Sequence, residues 1–223
     1  MTTTRRGFLG SATNAAALAV LPASFLEKLP EEAQPMPANV EWDMTWPDRL
    51  KGKHKAVFDM SEVESGLGVI RAAFWANQYV DVMKAAPVDL APVLILRHNA
   101  VILAMQQSFW DKYNIGELKE VTSPLTDEPT KKNPALLDER DGAPAPLASM
   151  ALHKQLARGA VALACNLALR QYVEMIRRTE KVSQDEAQKR AVSYLVPGVI
   201  LQPSGVFAAV RAQQAGAVYV KAS

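Results

Sequence analysis

"LAPVLILRH", residues 90–98, decides the fold. It is a near-continuous apolar run that closes on Arg97 and His98. A strand with one wet face alternates apolar and polar residues, whereas an unbroken run marks a strand covered on both faces, as in a parallel sheet. Short runs of the same kind occur on either side: "HKAVFDM" (54–60), "AVALA" (160–164), "VILQ" (199–202) and "AVYVK" (217–221). Helix-periodic segments separate them. "VIRAAFWANQYVDVMKAA" (69–86) sets Val69, Ala73, Ala76, Val80 and Met83 on one stripe, with Ala72 and Tyr79 beside it. Helices are also expected over 99–114, 147–159, 167–180, 183–195 and 204–216. Gly159 is placed to end one of them, and Ser183 with Glu186 has capping-box spacing at the start of another. Strands alternating with helices predict an α/β fold: a mostly parallel sheet sandwiched between helices, in a single domain over 53–223.

Two segments stand outside that rhythm. Residues 115–146 are polar and Pro-rich, and the stretch is longer than connections usually are. Such segments serve as lids, interface arms or disordered loops. Residues 27–52 are also Pro-rich and read as a linker that becomes an ordered arm, because Trp42 and Trp46 are costly to leave in water. Phe109, Trp110 and Tyr113 of "FWDKYN" (109–114) sit at helical spacing and read as core or subunit contacts.

Residues 1–26 read as a twin-arginine signal peptide. Arg5 and Arg6 precede Phe8 and Leu9, and a mildly apolar Ala-rich stretch leads to small residues near Ala23. The expected location is therefore the periplasm. The stretch holds Ser11, Thr13 and Asn14 and falls short of the roughly 20 apolar residues a span needs, so no stable membrane anchor is expected.

Composition narrows the chemistry further. The 223 residues include 25 Lys or Arg and 23 Asp or Glu, spread without a dense basic run, which gives no reason to expect nucleic-acid binding. One cysteine excludes an internal disulfide framework and a Cys-rich zinc site. His54, His98 and His153 lack metal-ligand spacing, and neither GxGxxG nor a phosphate-binding P-loop motif occurs, so no metal and no cofactor is expected.

In a parallel sheet, sites gather where strands end and loops enter helices. Three such ends carry chemistry: "RHN" (97–99), "CNL" (165–167) and "QPSG" (202–205). Cys165 lies just ahead of a helix, with Asn166 suited to cap it, and a helix N-terminus favours thiolate over thiol. "VALAC" equally reads as a strand ending in a small core side chain. His98 is a candidate proton acceptor for the thiol or an ordinary helix cap, and Asn99 a candidate binding residue or cap. Ser204 and Gly205 open a helix and suit close approach of an anionic group, or form a plain strand-to-helix turn.

Four stretches together resemble the DsrE/DsrF-like family with the YchN-type fold. They are "HKAVFDM", "LILRHNAVILA", "LARGAVALACNLALRQY" and "VPGVILQPSGVFAAVRAQQAGAVYVK", which span roughly residues 53–221. The resemblance implies a helix-sandwiched sheet and a homo-oligomer, trimer or hexamer. In the family's sulfur-relay branch, a cysteine in a "C-x-x-A-L-R"-like stretch accepts a persulfide sulfur and passes it to a partner protein. "CNLALR" carries that role onto Cys165, and the leader, arm and long 115–146 segment imply an exported subgroup. The alternatives are a non-catalytic oligomeric protein that binds a small ligand or partner, or an escort for an exported redox enzyme.

Overall fold

Five strands form one all-parallel sheet in the computed structural model, which describes residues 41–223. The leader (1–26) and residues 27–40 of the arm lie outside the described residues. The strands are β1 His54–Met60, β2 Leu90–Leu96, β3 Val161–Cys165, β4 Val199–Gln202 and β5 Val218–Lys221. Their spatial order is β4-β3-β2-β1-β5. The chain thus steps outward from β1 to β4 and returns to the far side of β1 for its fifth strand.

Eight α-helices connect them: α1 Leu67–Asp81, α2 Gln107–Lys112, α3 Ile115–Leu118, α4 Ala145–Ala148, α5 Leu152–Ala157, α6 Asn166–Glu180, α7 Gln184–Ser193 and α8 Gly205–Gln214. Alternation along the strands divides the core in two. On one face Ala56, Phe58, Met60, Leu94, Leu96, Ala162 and Ala164 pack against α1 and α6, which contribute Val69, Ala72, Leu169, Tyr172, Val173 and Ile176. On the other, Val57, Val93, Ile95, Val161 and Leu163 meet Ala208, Ala209 and Ala212 of α8, together with Trp46 and Leu50. This is the two-sided covering that an unbroken apolar strand demands. The end of the Pro-rich arm is part of that cover, because residues Trp42–Ser223 form one compact unit.

The expected helix over 99–114 is not one element. His98–Ala104 is a 3-10 helix, Met105 makes an isolated bridge to Leu195, and only Gln107–Lys112 is α-helical. Seven residues is long for a 3-10 segment. Its support comes from Asn133, whose buried Nδ2 donates to the carbonyls of Met105 (2.7 Å), Leu103 (3.2 Å) and Ile102 (3.5 Å). Ile102 O also accepts from Trp110 Nε1 at 2.9 Å. Buried carbonyls that an α-helix would have paired internally are satisfied here from outside.

Those bonds also place the 115–146 segment, which is packed into the body. Asn133 Oδ1 accepts from Ala135 N, Asp138 and Asp141 form a capping box around a turn, and Ala135, Leu137 and Ala143 are buried. The expected helix over 147–159 is likewise two short pieces, α4 and α5. The helix expected over 69–86 ends at Asp81, leaving Met83 outside it and exposed. Ser183 does cap α7, accepting from Glu186 N.

Candidate functional site

Strand exits set the geometry. β1 and β3 lead into α1 and α6 on one face, while β4 leads into α8 on the other. Neighbouring strands β3 and β4 therefore send their chains to opposite sides, which makes their ends a topological switch point, the usual place for ligands in such sheets. Cys165 and Gln202, paired in register, mark that point.

Cys165 is the last residue of β3 and itself caps α6. Its Sγ accepts from Ala168 N at 3.5 Å, so the cap expected at Asn166 lies one residue earlier. The thiol is 5% exposed and is not in a disulfide. Asn166 is fully buried; its Oδ1 accepts from Gln188 Nε2 at 3.3 Å, and its Nδ2 has no partner among the described residues. Gln202 is held by the arm, with Oε1 accepting from Trp46 Nε1 at 3.0 Å and Nε2 donating to Asp43 O at 2.9 Å.

The other expected residues divide. Ser204 caps α8, its hydroxyl accepting from Phe207 N at 3.0 Å, and Gly205 is the buried first residue of that helix. A Cβ on Gly205 would stand 2.5 Å from Arg97 Cδ, so the Arg97 stem lies directly on this glycine. His98 is exposed, with a left-handed φ of 47°, and makes no hydrogen bond with a described residue. Asn99 is exposed and donates to Glu62 Oε2 at 2.8 Å. A charged residue beside Cys165 at the strand ends, among the described residues, is Arg97.

Arg97 belongs to a cluster that no sequence motif announces. Its backbone stays extended past β2 and its N–H donates to Met60 O, continuing the β1–β2 ladder. Leu96 pairs with Ala164, so Arg97 and Cys165 each stand one residue beyond that pair on adjacent strands, which run about 4.8 Å apart. Nε and Nη2 of Arg97 donate to the two carboxylate oxygens of Asp59 at 2.7 and 2.9 Å. Tyr219 on β5 donates its hydroxyl to Asp59 Oδ2 at 2.6 Å. Asp59 is 5% exposed, while the Arg97 side chain keeps 24%. The bond to the Asp59 carboxylate holds the guanidinium above its ordinary pKa. The same carboxylate pushes the Tyr219 phenol up. One signal for this cluster is visible in the sequence: an Asp inside the strand "HKAVFDM" needs a partner if the strand is buried.

A concavity of about 550 Å³ lies among Gln106, Lys132, Leu136, Arg140, His153 and Val196. Its charges are mostly paired with each other, Lys132 with Asp141 and Arg140 with Asp138. Burial lowers the His153 pKa there. Among the described residues no group of acidic, His or Cys side chains is arranged to hold a metal, and no helix is long and apolar enough to cross a membrane.

Comparison with family models, curated proteins and solved structures yields no match for the chain.

Proposed function

We propose that the protein is an exported sulfur carrier whose working group is Cys165. The observation that carries this reading is the place of the only thiol. It ends β3, beside β4 where the chain switches faces of the sheet, it caps a 15-residue helix, and it stands one strand over from Arg97. Helix N-terminus and guanidinium both favour negative charge on sulfur, the nucleophilic form. The resemblance of "CNLALR" to the persulfide-carrying stretch of DsrE-like proteins points the same way.

The transfer step balances within this chemistry. The Cys165 thiolate attacks the terminal sulfur of a donor R–S–SH, a Cys–S–SH bond forms, and the S–S bond to R breaks. The donor leaves as R–S⁻, and the proton stays on the transferred sulfur. Discharge is the reverse attack by an acceptor thiolate. No disulfide partner in the same chain is required.

Intact-mass measurement after exposure to a persulfide donor tests this. The wild type should gain about 32 Da, one sulfur atom, removed by reductant and absent in Cys165→Ser. No such gain on the folded wild type overturns the reading. The depth of the thiol favours the second reading, a non-catalytic binding protein with Cys165 as packing. On that reading, Cys165 reacts with an aromatic disulfide reagent only after unfolding.

A further inference from the structure

We propose that Arg97 is the anion-binding residue beside Cys165 at the strand ends, and that the ligand it takes is the negatively charged end of a small sulfane donor such as thiosulfate. This rests on the reading of Cys165 as the reacting sulfur.

The guanidinium is built for such a role. An arginine has five N–H donors, and the bonds to Asp59 use only the edge formed by Nε and Nη2. Nη1 has no acceptor among the described residues, although its fellow nitrogens are fixed. The edge that is used is locked twice over: Asp59 is 95% covered and holds two parallel bonds, and Tyr219 pins the same carboxylate from β5. The aliphatic stem lies on Gly205, where no side chain could stand. A flexible charge loses entropy when it captures a ligand, and this one has already lost it. The Arg97 side chain as a whole keeps 24% exposure.

The counter-charge accounting leads to the same place. One carboxylate neutralises one guanidinium, and the register sets Cys165, whose thiolate is the reacting form, one strand over from Arg97. When the thiolate attacks the outer sulfur of thiosulfate, the new S–S bond leaves Cys165 as a persulfide anion. The old S–S bond breaks with its electron pair going to sulfite, so three negative charges are present before and after the step. A fixed cation at that point reduces their mutual repulsion on approach and holds the departing oxyanion. Asp59 and Tyr219 act through Arg97 and are positioning residues. Asn166, the next residue after the thiol, is fully buried, and its Nδ2 has no partner among the described residues.

The test uses two alkylating reagents of nearly equal size, anionic iodoacetate and neutral iodoacetamide. Each reacts with Cys165 of the full chain at fixed pH and low salt, and adducts are counted by intact mass. In the native wild type, iodoacetate should gain on iodoacetamide by about five-fold or more over the ratio in urea, a factor corresponding to about 1 kcal/mol of screened attraction. Arg97→Gln should abolish the gain, and Arg97→Lys should restore part of it. Tyr219→Phe should give an intermediate ratio. Because Arg97→Gln leaves a buried carboxylate unpaired, the double variant Asp59→Asn/Arg97→Gln, with both charges removed, is run beside it. A native ratio equal to that in urea, a ratio unchanged in both Arg97 variants, or a thiol inert to both reagents overturns the proposal. Failure of the sulfur-carrier reading shows differently: the charge preference is present, and no persulfide adduct forms from any donor.

Discussion

The indole of Trp46 donates to Gln202 across 3.0 Å, although 156 residues separate them in the chain. Gln202 is the register partner of Cys165, so the arm that precedes the sheet steadies the strand end beside the thiol. Both groups are fully buried, and an unmet indole N–H in the core costs about 1–3 kcal/mol. Gln202→Leu should therefore lower stability by about 1–3 kcal/mol. Trp46→Ala, which also opens a cavity under β3 and β4, should cost about 3–5 kcal/mol. Urea midpoints at constant slope measure both.

Asn133 governs a different region. Its amide serves three buried carbonyls and one N–H, and no local element replaces those bonds. Asn133→Leu should destabilise by about 2–4 kcal/mol and release hydrogen-exchange protection over 98–105 before the strands. Because the 115–146 segment is anchored this way, brief proteolysis of the wild type should leave residues 131–143 uncut. Rapid cleavage there would show that the segment opens as a lid.

Acid should reveal the ion cluster at the end of α6. Glu180 bonds Lys112 at 2.6 Å and also Tyr113 and Arg190, and the Lys112 bond is the main cause of its fall from 4.5 to about 2. A depressed carboxyl contributes stability that is whole above pH 4.5 and is lost as pH falls towards 2. Lys112→Met should flatten the decline of the urea midpoint between about pH 5 and pH 3 while lowering its upper plateau. Asp138 and Glu174 are likewise held at about 2, so part of the acid decline should persist.

Gly205→Ala should separate helix stability from site geometry. Alanine is the better helix former by about 1 kcal/mol, so α8 itself gains or is unchanged. The new Cβ would meet the Arg97 stem at 2.5 Å and push the guanidinium aside. The expected result is a folded protein whose thiol has lost its preference for iodoacetate over iodoacetamide. Mass-counted alkylation reads it directly.

Strands were the legible part of this sequence. β1 and β4 lie at the expected residues, and the rest differ by one or two, because apolar runs between breakers leave the chain little choice. "NAVILA" misleads because its composition suits an α-helix, while the 3-10 form is chosen by Asn133, some 30 residues away. The α4–α5 break is similar: Met150 and Ala151 are buried by neighbours that no periodicity reveals. The places of Cys165, Ser204 and Gly205 at strand ends were readable from the sequence. Asp59, Arg97 and Tyr219 were not, since they meet only through the strand order, with β5 placed beside β1. His98 drew notice as a titratable neighbour, but the residue before it is the one that shares an edge with the thiol.

That strand order has a consequence for the timing of synthesis. β5 follows the other four strands along the chain yet docks against the first of them, and it brings the tyrosine that pins Asp59. A nascent chain emitted as far as β4 already holds Asp59, Arg97 and Cys165, but its carboxylate lacks the phenol and β1 presents a bare edge. The Asp59–Arg97 cluster is completed only when β5 has left the ribosome. A stalled or prematurely terminated product would therefore carry the thiol without the finished clamp around its arginine.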